Sequence, residues 1–200
     1  MQDTNPKRFV MAALVAGVAL QSTKAMAEPA VYEIDPEHVV VAFMVEHIGF
    51  AKVLGSFTDV EGTYTFDEAT GELGDVWVVV ATESVDSHHD ERDEHLRSDD
   101  FLDAQAYPQM SFTADSAQPV SDREFEITGE ISLLGTTRPL TLLASWNKSG
   151  DYPIERNAYA MGVSARGVLQ RADFGMDYAI DNGWVGNDVE IIIEFEARRQ

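Results

Sequence analysis

The sequence predicts an all-β protein, an antiparallel β-barrel of about eight strands with one short helical insertion. Apolar and polar residues alternate with a period of two over most of the chain, which is typical of strands that bury one face. Turn-forming residues separate these segments, and the connections are too short for repeated helical crossovers between parallel strands. Closure is favoured because a barrel leaves no exposed sheet edge.

The predicted strands follow one another from residue 31 to the end of the chain. Alternation indicates strands at residues 31–34, 38–48, 55–66, 76–82, 109–117, 125–133, 140–146, 158–169 and 189–197. The last is the clearest, because the apolar residues at alternate positions from Val189 to Ala197 share one face. Gly135-Thr136-Thr137 predicts a hairpin connection between two of the central strands.

One segment without strand alternation predicts the helical insertion. Residues 87–103 contain several strong helix formers, and Asp90 is a candidate N-cap followed by acidic residues that suit the helix dipole. A helix here places Arg92, His95, Leu96 and Asp99 on one face. A shorter helical turn is predicted at residues 49–54.

The first 27 residues have the pattern of a secretory signal peptide. Lys7 and Arg8 precede twelve apolar residues from Phe9 to Leu20, and Ala25-Met26-Ala27 offers small residues for cleavage after Ala27. Twelve helical residues rise only about 18 Å, too little for a bilayer core of roughly 30 Å. We therefore expect the protein to be exported to the periplasm. Residues 28–200 are expected to form one domain without an integral membrane span.

Charge and composition exclude several functions. The chain has no cysteine, so neither disulfides nor thiol chemistry are available to it. Without residues 1–27 it carries 34 acidic and 11 basic residues, a net charge of −23. Such a surface repels nucleic acid and anionic lipid headgroups, and solubility is its simplest explanation.

A series of short motifs carries a resemblance to a known family. In order they are Tyr32-Glu33-Ile34-Asp35, His38, Phe43, His47-Ile48-Gly49, Gly55-Ser56-Phe57, Ser84-Val85-Asp86, residues 92–98 (RDEHLRS), Phe101, Tyr107-Pro108, Phe112, residues 129–135 (GEISLLG), Arg138-Pro139-Leu140, residues 171–175 (RADFG) and residues 185–189 (VGNDV). On these motifs the chain resembles the YceI-like family of exported, lipid-binding, lipocalin-like proteins. Two positions depart from the family pattern. This chain has Val39 where the family usually has Ser or Thr, and it has Ser132 where the family usually has Thr.

The resemblance implies an extended lipocalin-like barrel with an internal apolar tunnel. It also implies binding of a polyisoprenoid or a related long-chain amphiphile, such as an isoprenoid quinone, in the periplasm. The apolar inward positions that we expect to hold the ligand tail are Phe43, Val45, Trp77, Val79, Leu96, Phe101, Phe112, Ile127, Leu142, Trp146 and Phe195. Burial of ten CH₂ groups at about 0.8 kcal/mol each gives roughly 8 kcal/mol before entropic costs.

Three polar residues are candidates for the ligand head group. His47 ends the apolar row of the strand at 38–48 and is able to donate a hydrogen bond to a carbonyl or phosphate, although a purely structural histidine fits equally well. Arg92 and His95 lie on the predicted helix, which is either a lid that tucks Leu96 and Phe101 into the mouth or a solvated acidic helix. For Arg92 a structural partner is favoured.

Other clusters suggest structural roles. Arg171 and Asp173 are expected to form a bridge that fixes a turn, with Gly175 in a conformation that other residues avoid. His88, His89 and His95 lack the usual spacing of a zinc site, so no metal is predicted. Catalytic motifs are missing from the sequence too: neither a Ser-His-Asp order, nor a phosphate loop, nor a nucleophile elbow is present.

The favoured function is that of a periplasmic carrier or binding protein for an isoprenoid-type lipid, without a cofactor. Because the chain is strongly acidic, a neutral head such as a quinone is favoured over a diphosphate. Two alternatives remain: an enzyme that acts on such a lipid with His47 or His95 as acid–base, and a packed acidic barrel that binds another protein. The sequence leaves the oligomeric state open and admits a homodimer.

Overall fold

The computed structural model describes Met1 and residues 29–200, and the predicted signal peptide after Met1 lies outside these residues, as does Glu28. The strands are β1 (Ala30–His47), β2 (Ala51–Phe57), β3 (Val60–Asp67), β4 (Glu72–Ala81), β5 (Val85–Asp86), β6 (Gln109–Ala114), β7 (Gln118–Pro119), β8 (Glu124–Leu133), β9 (Thr136–Asp151), β10 (Tyr159–Gln170) and β11 (Val185–Arg199). The helix α1 spans Asp90–Arg97, and two 3₁₀ turns span Thr82–Ser84 and Arg171–Phe174.

The sheet closes because the first and last long strands pair with each other. β1 and β11 are antiparallel, with a register that runs from Tyr32 opposite Arg199 to His47 opposite Val185. Around the barrel the order is β11, β10, β9, β8, β6, β4, β3 and β1, all antiparallel. The first part of β1 pairs with β3 and the second half of β1 pairs with β2, so β2 and β3 together occupy one strand position of the barrel. The predicted all-β barrel with one short helix is confirmed.

Several predicted element boundaries are wrong for local reasons. The helical turn expected at residues 49–54 is a β-turn followed by β2, since the Phe50 amide donates to His47 O at 3.1 Å and pairing with β1 continues on the other side. Helix α1 begins at Asp90, but its cap is His89, whose Nδ1 accepts from the Arg92 amide. The helix ends at Arg97, so Asp99 lies beyond it.

A β-bulge in β4 reverses which residues face the interior. Thr63 of β3 pairs with Trp77 and Thr65 with Gly74, which leaves one extra residue in β4. Asp75, at φ 49°, takes up that residue in the left-handed region. As a consequence Leu73 and Val76 both face inward, although their separation of three residues would place them on opposite faces of a regular strand.

Two clusters of buried side chains pack inside the barrel, one towards each end. One lies next to α1 and includes Phe57, Val85, Phe101, Leu133 and Phe174. The other is mainly aromatic and includes Tyr32, Tyr64, Phe66 and Phe125. Buried and partly buried apolar side chains of both clusters border a cavity, which places the candidate site inside the barrel.

Close packing of β6 against β8 depends on glycine at residue 129. A Cβ at Gly129 would meet the Thr113 carbonyl oxygen and would lie 2.6 Å from Phe112 Cζ and 2.9 Å from Ala114 Cβ. We expect Gly129→Ala to lower the free energy of unfolding by about 2 kcal/mol, because backbone has to move. The matched control is Gly162→Ala, whose Cβ would have its nearest neighbour at 3.9 Å. Urea denaturation of both variants measures the difference, and equal stabilities would contradict this account of the packing.

Candidate functional site

The barrel encloses an elongated cavity of about 490 Å³, whose walls are almost wholly apolar. This volume lies within the usual range for small-molecule sites, roughly 300 to 1,000 Å³. Alternate residues of the long strands supply the walls, among them Val41, Phe43, Val78, Phe112, Ile127, Ile131, Leu142, Val163, Ala165, Leu169, Ile191 and Ile193. The barrel is therefore hollow, and its own side chains do not fill it from end to end.

Aromatic side chains close one end of this lumen. Tyr32 is fully buried and stacks on Tyr64 with ring centroids 5.2 Å apart. Phe66 makes edge-to-face contacts with Phe125 and Trp146, at centroid distances of 5.8 and 5.5 Å. We call this the closed end. These rings separate this end of the lumen from solvent.

A carboxylate fastens the outermost tyrosines at the closed end. Glu68 accepts hydrogen bonds from Tyr32 Oη at 2.7 Å, from Tyr159 Oη at 3.0 Å and from Ser149 Oγ. Although burial by itself raises the pKa of Glu68, these hydrogen bonds and the nearby Arg199 outweigh it and lower the pKa. Burial and the Glu68 carboxylate raise the pKa of Tyr32, which keeps the phenol protonated as a donor.

The opposite end of the barrel is the mouth, defined here by the β1–β2 turn, by α1 and by the loop of residues 175–184. His47, Ile48, Tyr178 and Trp184 all border the cavity and are exposed at its edge. His95 and Leu96 of α1 line the same opening, and both are partly buried. The lumen thus connects with solvent beside the helix.

Helix α1 is fixed over the mouth by polar contacts to the preceding loop. The buried Asp93 accepts from the Ser87 amide at 2.8 Å and from Ser87 Oγ. Arg92 donates from Nε to Ser87 Oγ at 2.7 Å and from Nη2 to Ser87 O at 2.6 Å. Arg97 donates to the carbonyls of Glu83 and Val85 at 2.8 and 2.7 Å. The sequence motif at residues 92–98 therefore serves mainly to attach the helix.

A buried arginine holds the other side of the mouth. Arg171 is only 1% exposed, borders the lumen and lies 5.8 Å from the centroid of the Phe101 ring. Its guanidinium donates to four carbonyl oxygens: Gly186 O at 2.7 Å, Met176 O and Tyr178 O at 2.8 Å, and Val185 O at 3.0 Å. Burial lowers the pKa of Arg171, and the nearby Asp177 opposes that change.

The predicted bridge between Arg171 and Asp173 is wrong. Within residues 29–200, the ion pairs include none between these two side chains, and Asp173 is exposed. The chain reversal presents four buried carbonyls to Arg171, and these take the place of the carboxylate. Gly175 ends the 3₁₀ turn at φ 82° and ψ 11°, where a residue with a Cβ is disfavoured.

Nine of the residues predicted to surround the ligand tail do border the lumen: Phe43, Val45, Leu96, Phe101, Phe112, Ile127, Leu142, Trp146 and Phe195. Trp77 and Val79 do not border it, so the prediction that they line the tunnel is wrong. Trp77 is 43% exposed on the outer wall, while Val76, Val78 and Val80 face inward. Residues 76–81 are uniformly apolar, so alternation left the phase undecided, and the bulge at Asp75 set it.

The three candidate head-group residues all border the lumen near the mouth, in different states of engagement. Arg92 is committed to Ser87, as described above. His95 Nε2 lies 2.9 Å from Asp100 Oδ2, and its ring packs edge-to-face on Phe101 and Tyr178. His47 is exposed, at the end of β1. Their contacts with a ligand remain predictions.

Several residues that border the cavity were not predicted from the sequence. Tyr178, Ala179 and Trp184 come from a turn-rich loop that no periodicity assigns to the interior. Tyr64 and Leu169 lie on predicted strands, where alternation offered a signal for their inward position. The aromatic residues in the loop were the one visible hint that it covers part of an apolar opening.

One group of side chains within residues 29–200 has the composition of a cation site. Asp35, His38 and Glu196 offer one ligand atom each, all within 4.8 Å of one another, on the wall formed by β1 and β11. Arg198 donates to the Asp35 oxygen that also lies 3.0 Å from His38 Nδ1. Within this group, Asp35 is therefore already engaged by His38 and by the Arg198 guanidinium. His88, His89 and His95 each contact a separate acid.

A closed antiparallel barrel with an apolar lumen, a closed end and an open mouth defines a class, that of small ligand-binding β-barrels. The chain belongs to the YceI family, since the family model described as "YceI-like domain" matches residues 32–197. Within residues 29–200, no helix has the length and apolarity needed to cross a membrane.

Relatives and solved structures agree with this assignment. Protein YceI of Salmonella arizonae is 39% identical over 184 residues, which cover 91% of this chain and 94% of the relative. The crystal structure of the YCEI protein of Campylobacter jejuni has a TM-score of 0.68 and 26% identity, covering 78% of this chain and 90% of that one.

Two more distant structures share the fold. BcnA of Burkholderia cenocepacia has a TM-score of 0.73 at 18% identity and covers 82% of this chain and 98% of its own. A polyisoprenoid binding domain from Saccharophagus degradans, implicated in plant cell wall breakdown, has a TM-score of 0.62 at 12% identity, covering 86% and 99%.

Arg171 is expected to stabilise the fold through its four carbonyl contacts. Arg171→Met leaves these buried acceptors without a donor, so we expect the free energy of unfolding to fall by about 3 kcal/mol. Arg166→Met is the matched control, because Arg166 is half-exposed and pairs with Glu194 on the outer wall. The control is expected to lose less than about 1 kcal/mol. Chemical denaturation compares the two, and an equal loss would contradict the special role of Arg171.

The attachment of α1 is expected to weaken in acid. Burial by itself raises the pKa of Asp93, but the hydrogen bonds from Ser87 and the charges of Arg97 and Arg92 outweigh it and lower the pKa below 3.8. A lowered pKa contributes stability that is present above pH 3.8 and is lost as the pH falls through the folded-state pKa. Wild type should therefore exceed Asp93→Asn in stability at pH 6, and the difference should shrink towards pH 3. Urea denaturation at several pH values measures it, and a pH-independent difference would refute the linkage.

Proposed function

We propose that this protein is a carrier that holds one isoprenoid-type lipid, with its tail in the lumen and its head at the mouth. The observation that carries the proposal is the continuous apolar cavity, closed by Tyr32 and Tyr64 at one end and open at the other. The polyisoprenoid binding domain from Saccharophagus degradans, which shares the fold, supports this choice of ligand class. The family membership supports it as well.

The tail supplies most of the affinity in this proposal. Each buried CH₂ group contributes about 0.8 kcal/mol, so ten groups contribute roughly 8 kcal/mol before the entropic cost of association. A binding free energy of roughly 8 kcal/mol would correspond to a dissociation constant of about 1 μM. Longer tails bury more CH₂ groups and bind more tightly. The apolar wall makes few distinctions among tails, so selectivity falls to the mouth.

The head group in this proposal is neutral, and an isoprenoid quinone is favoured over an isoprenoid diphosphate. The bases around the mouth are already engaged: Arg92 with Ser87, Arg171 with backbone carbonyls, and Lys52 with Glu190. A diphosphate would also approach a chain of strongly negative charge. His47 and His95 border the opening and are suited to hydrogen bonds with a quinone carbonyl.

The setting of this function is the periplasm, reached by export under the signal peptide predicted at residues 1–27. A long isoprenoid is insoluble in water, so it crosses an aqueous compartment only when its tail is enclosed. The lumen encloses the tail by binding it, without any chemical step. We propose no catalytic step, since the cavity walls are apolar and both Arg92 and Arg171 are held by protein groups.

Obstruction of the lumen tests the proposed binding mode. Ala165 is 5% exposed and points into the cavity, so Ala165→Phe should fill the space of the tail and reduce lipid binding about tenfold or more. Trp77→Ala on the outer wall is the control and should bind normally. Binding of a fluorescent isoprenoid quinone measures both, with the melting temperature as a check on folding. Val163→Phe provides a second lumen variant, and normal binding by folded lumen variants would refute the proposal.

The identity of the bound lipid is tested by native mass spectrometry of the protein purified from its own periplasm. We expect a one-to-one complex with a neutral isoprenoid. A bound isoprenoid diphosphate would overturn the preference for a neutral head while it leaves the carrier function in place. Purification without any extractable lipid, together with no binding of added quinone, would contradict the carrier function itself.

A further inference from the structure

The mouth carries a concentration of exposed apolar side chains that the lumen itself does not need. Phe50 is 90% exposed, Trp184 56%, Leu54 49%, Ile48 45% and Tyr178 41%. They come from the β1–β2 hairpin and from the loop before β11, which meet where the Ile48 amide donates to Trp184 O at 2.9 Å. We call these five residues the apolar lip. Scattered apolar residues elsewhere on a surface are ordinary, but a cluster at one opening indicates a contact surface.

At the tip of the apolar lip, Ile48 occupies a backbone conformation that disfavours isoleucine. His47 to Phe50 form a tight turn in which Ile48 has φ 54° and Gly49 has φ 69°. Both central residues are thus in the left-handed region, where Asn, Asp and Gly are preferred and a β-branched side chain is an outlier. The turn therefore presents Ile48 to solvent against local conformational preference, which indicates that its apolar character is used, and it places the exposed Phe50 directly beside it.

The lip is continuous with the cavity. Ile48, Tyr178 and Trp184 each border the lumen and are also exposed at the rim. An apolar path therefore leads from the outside of the barrel into its interior beside α1. A tail that follows this path need not cross a polar barrier, provided that the lip itself rests in an apolar medium.

We propose that the apolar lip docks the barrel, mouth first, onto the surface of a lipid bilayer of little net charge. This rests on the proposed carrier function and adds the partner from which the lipid enters and to which it returns. Trp and Tyr side chains favour the boundary between headgroups and acyl chains, and Phe and Ile favour the apolar side of it. The insertion is shallow, because only the turn and the loop project.

The charges around the lip select the type of bilayer. Glu46 borders the opening, and Asp177 and Asp181 lie on the same loop as Tyr178. Anionic headgroups would face these carboxylates, so a zwitterionic surface is preferred. The same carboxylates oppose a second copy of the chain, because two mouths placed face to face would bring like charges together. A bilayer is therefore the occupant that the lip fits.

Partition onto vesicles tests the docking. The protein is mixed with phosphatidylcholine vesicles and sedimented, and Phe50→Ser is compared with wild type. Phe50 does not border the cavity, so the variant leaves the lumen intact. We expect its partition coefficient to fall about tenfold. Ile154→Ser is the matched control, since Ile154 is 84% exposed on the β9–β10 loop at the closed end, and it should partition as wild type does.

Two further measurements make the result specific. Vesicles with one third phosphatidylglycerol at low salt should bind the wild type more weakly than phosphatidylcholine alone. Brominated lipids should quench Trp184 more than Trp77, which lies on the outer wall. Ile48→Asn suits the turn better than isoleucine does, so its loss of partition would not arise from misfolding.

Each outcome separates docking from carriage. Isoprenoid binding in solution is measured on the same preparations and should be equal in wild type and Phe50→Ser. If lipid binds but Phe50→Ser and wild type partition equally, docking by the lip is overturned and the carrier function stands. If wild type is a dimer in analytical ultracentrifugation and Phe50→Ser is a monomer, the lip is a subunit interface instead. Absence of isoprenoid binding by wild type would overturn the proposed function, whatever the partition result.

Discussion

The pairing of β1 with β11 is the constraint on which the rest of the molecule depends. It turns an open sheet into a barrel, so every strand has one face towards a shared interior. Alternation along the strands then becomes an apolar lumen, and the size of that lumen follows from the number and tilt of the strands rather than from any single residue. The cavity is a consequence of closure, provided that no side chain fills it.

The two ends of the lumen differ because different interactions are concentrated there. At the closed end, the rings of Tyr32 and Tyr64 stack, and the Tyr32 hydroxyl donates a hydrogen bond to the Glu68 carboxylate. These contacts close that end of the lumen. At the mouth, Arg171 and Asp93 fix the loop and the helix by hydrogen bonds to backbone and to Ser87. Under the proposed carrier function, this asymmetry gives a bound lipid a direction, with its head at the mouth.

Much of the fold was predictable because alternation reports burial directly. The strands predicted at residues 125–133, 140–146 and 189–197 lie within β8, β9 and β11, and nine of the eleven expected wall residues border the cavity. Trp77 and Val79 were misplaced because a uniformly apolar strand carries no phase, and the bulge at Asp75 was invisible in the sequence. The role of Arg171 was equally hidden, since its partners are carbonyls and every residue has one.

The sequence by itself determined the strand-rich architecture, the acidic surface and the family, because period-two patterning, charge and motif order are properties of the chain alone. The tertiary structure decided which face of β4 points inward, that the lumen stays open, and that Ile48, Tyr178 and Trp184 meet at one end. These features depend on register and on the contact of distant segments. Such contacts arise only when the barrel closes and brings the β1–β2 turn beside the loop before β11.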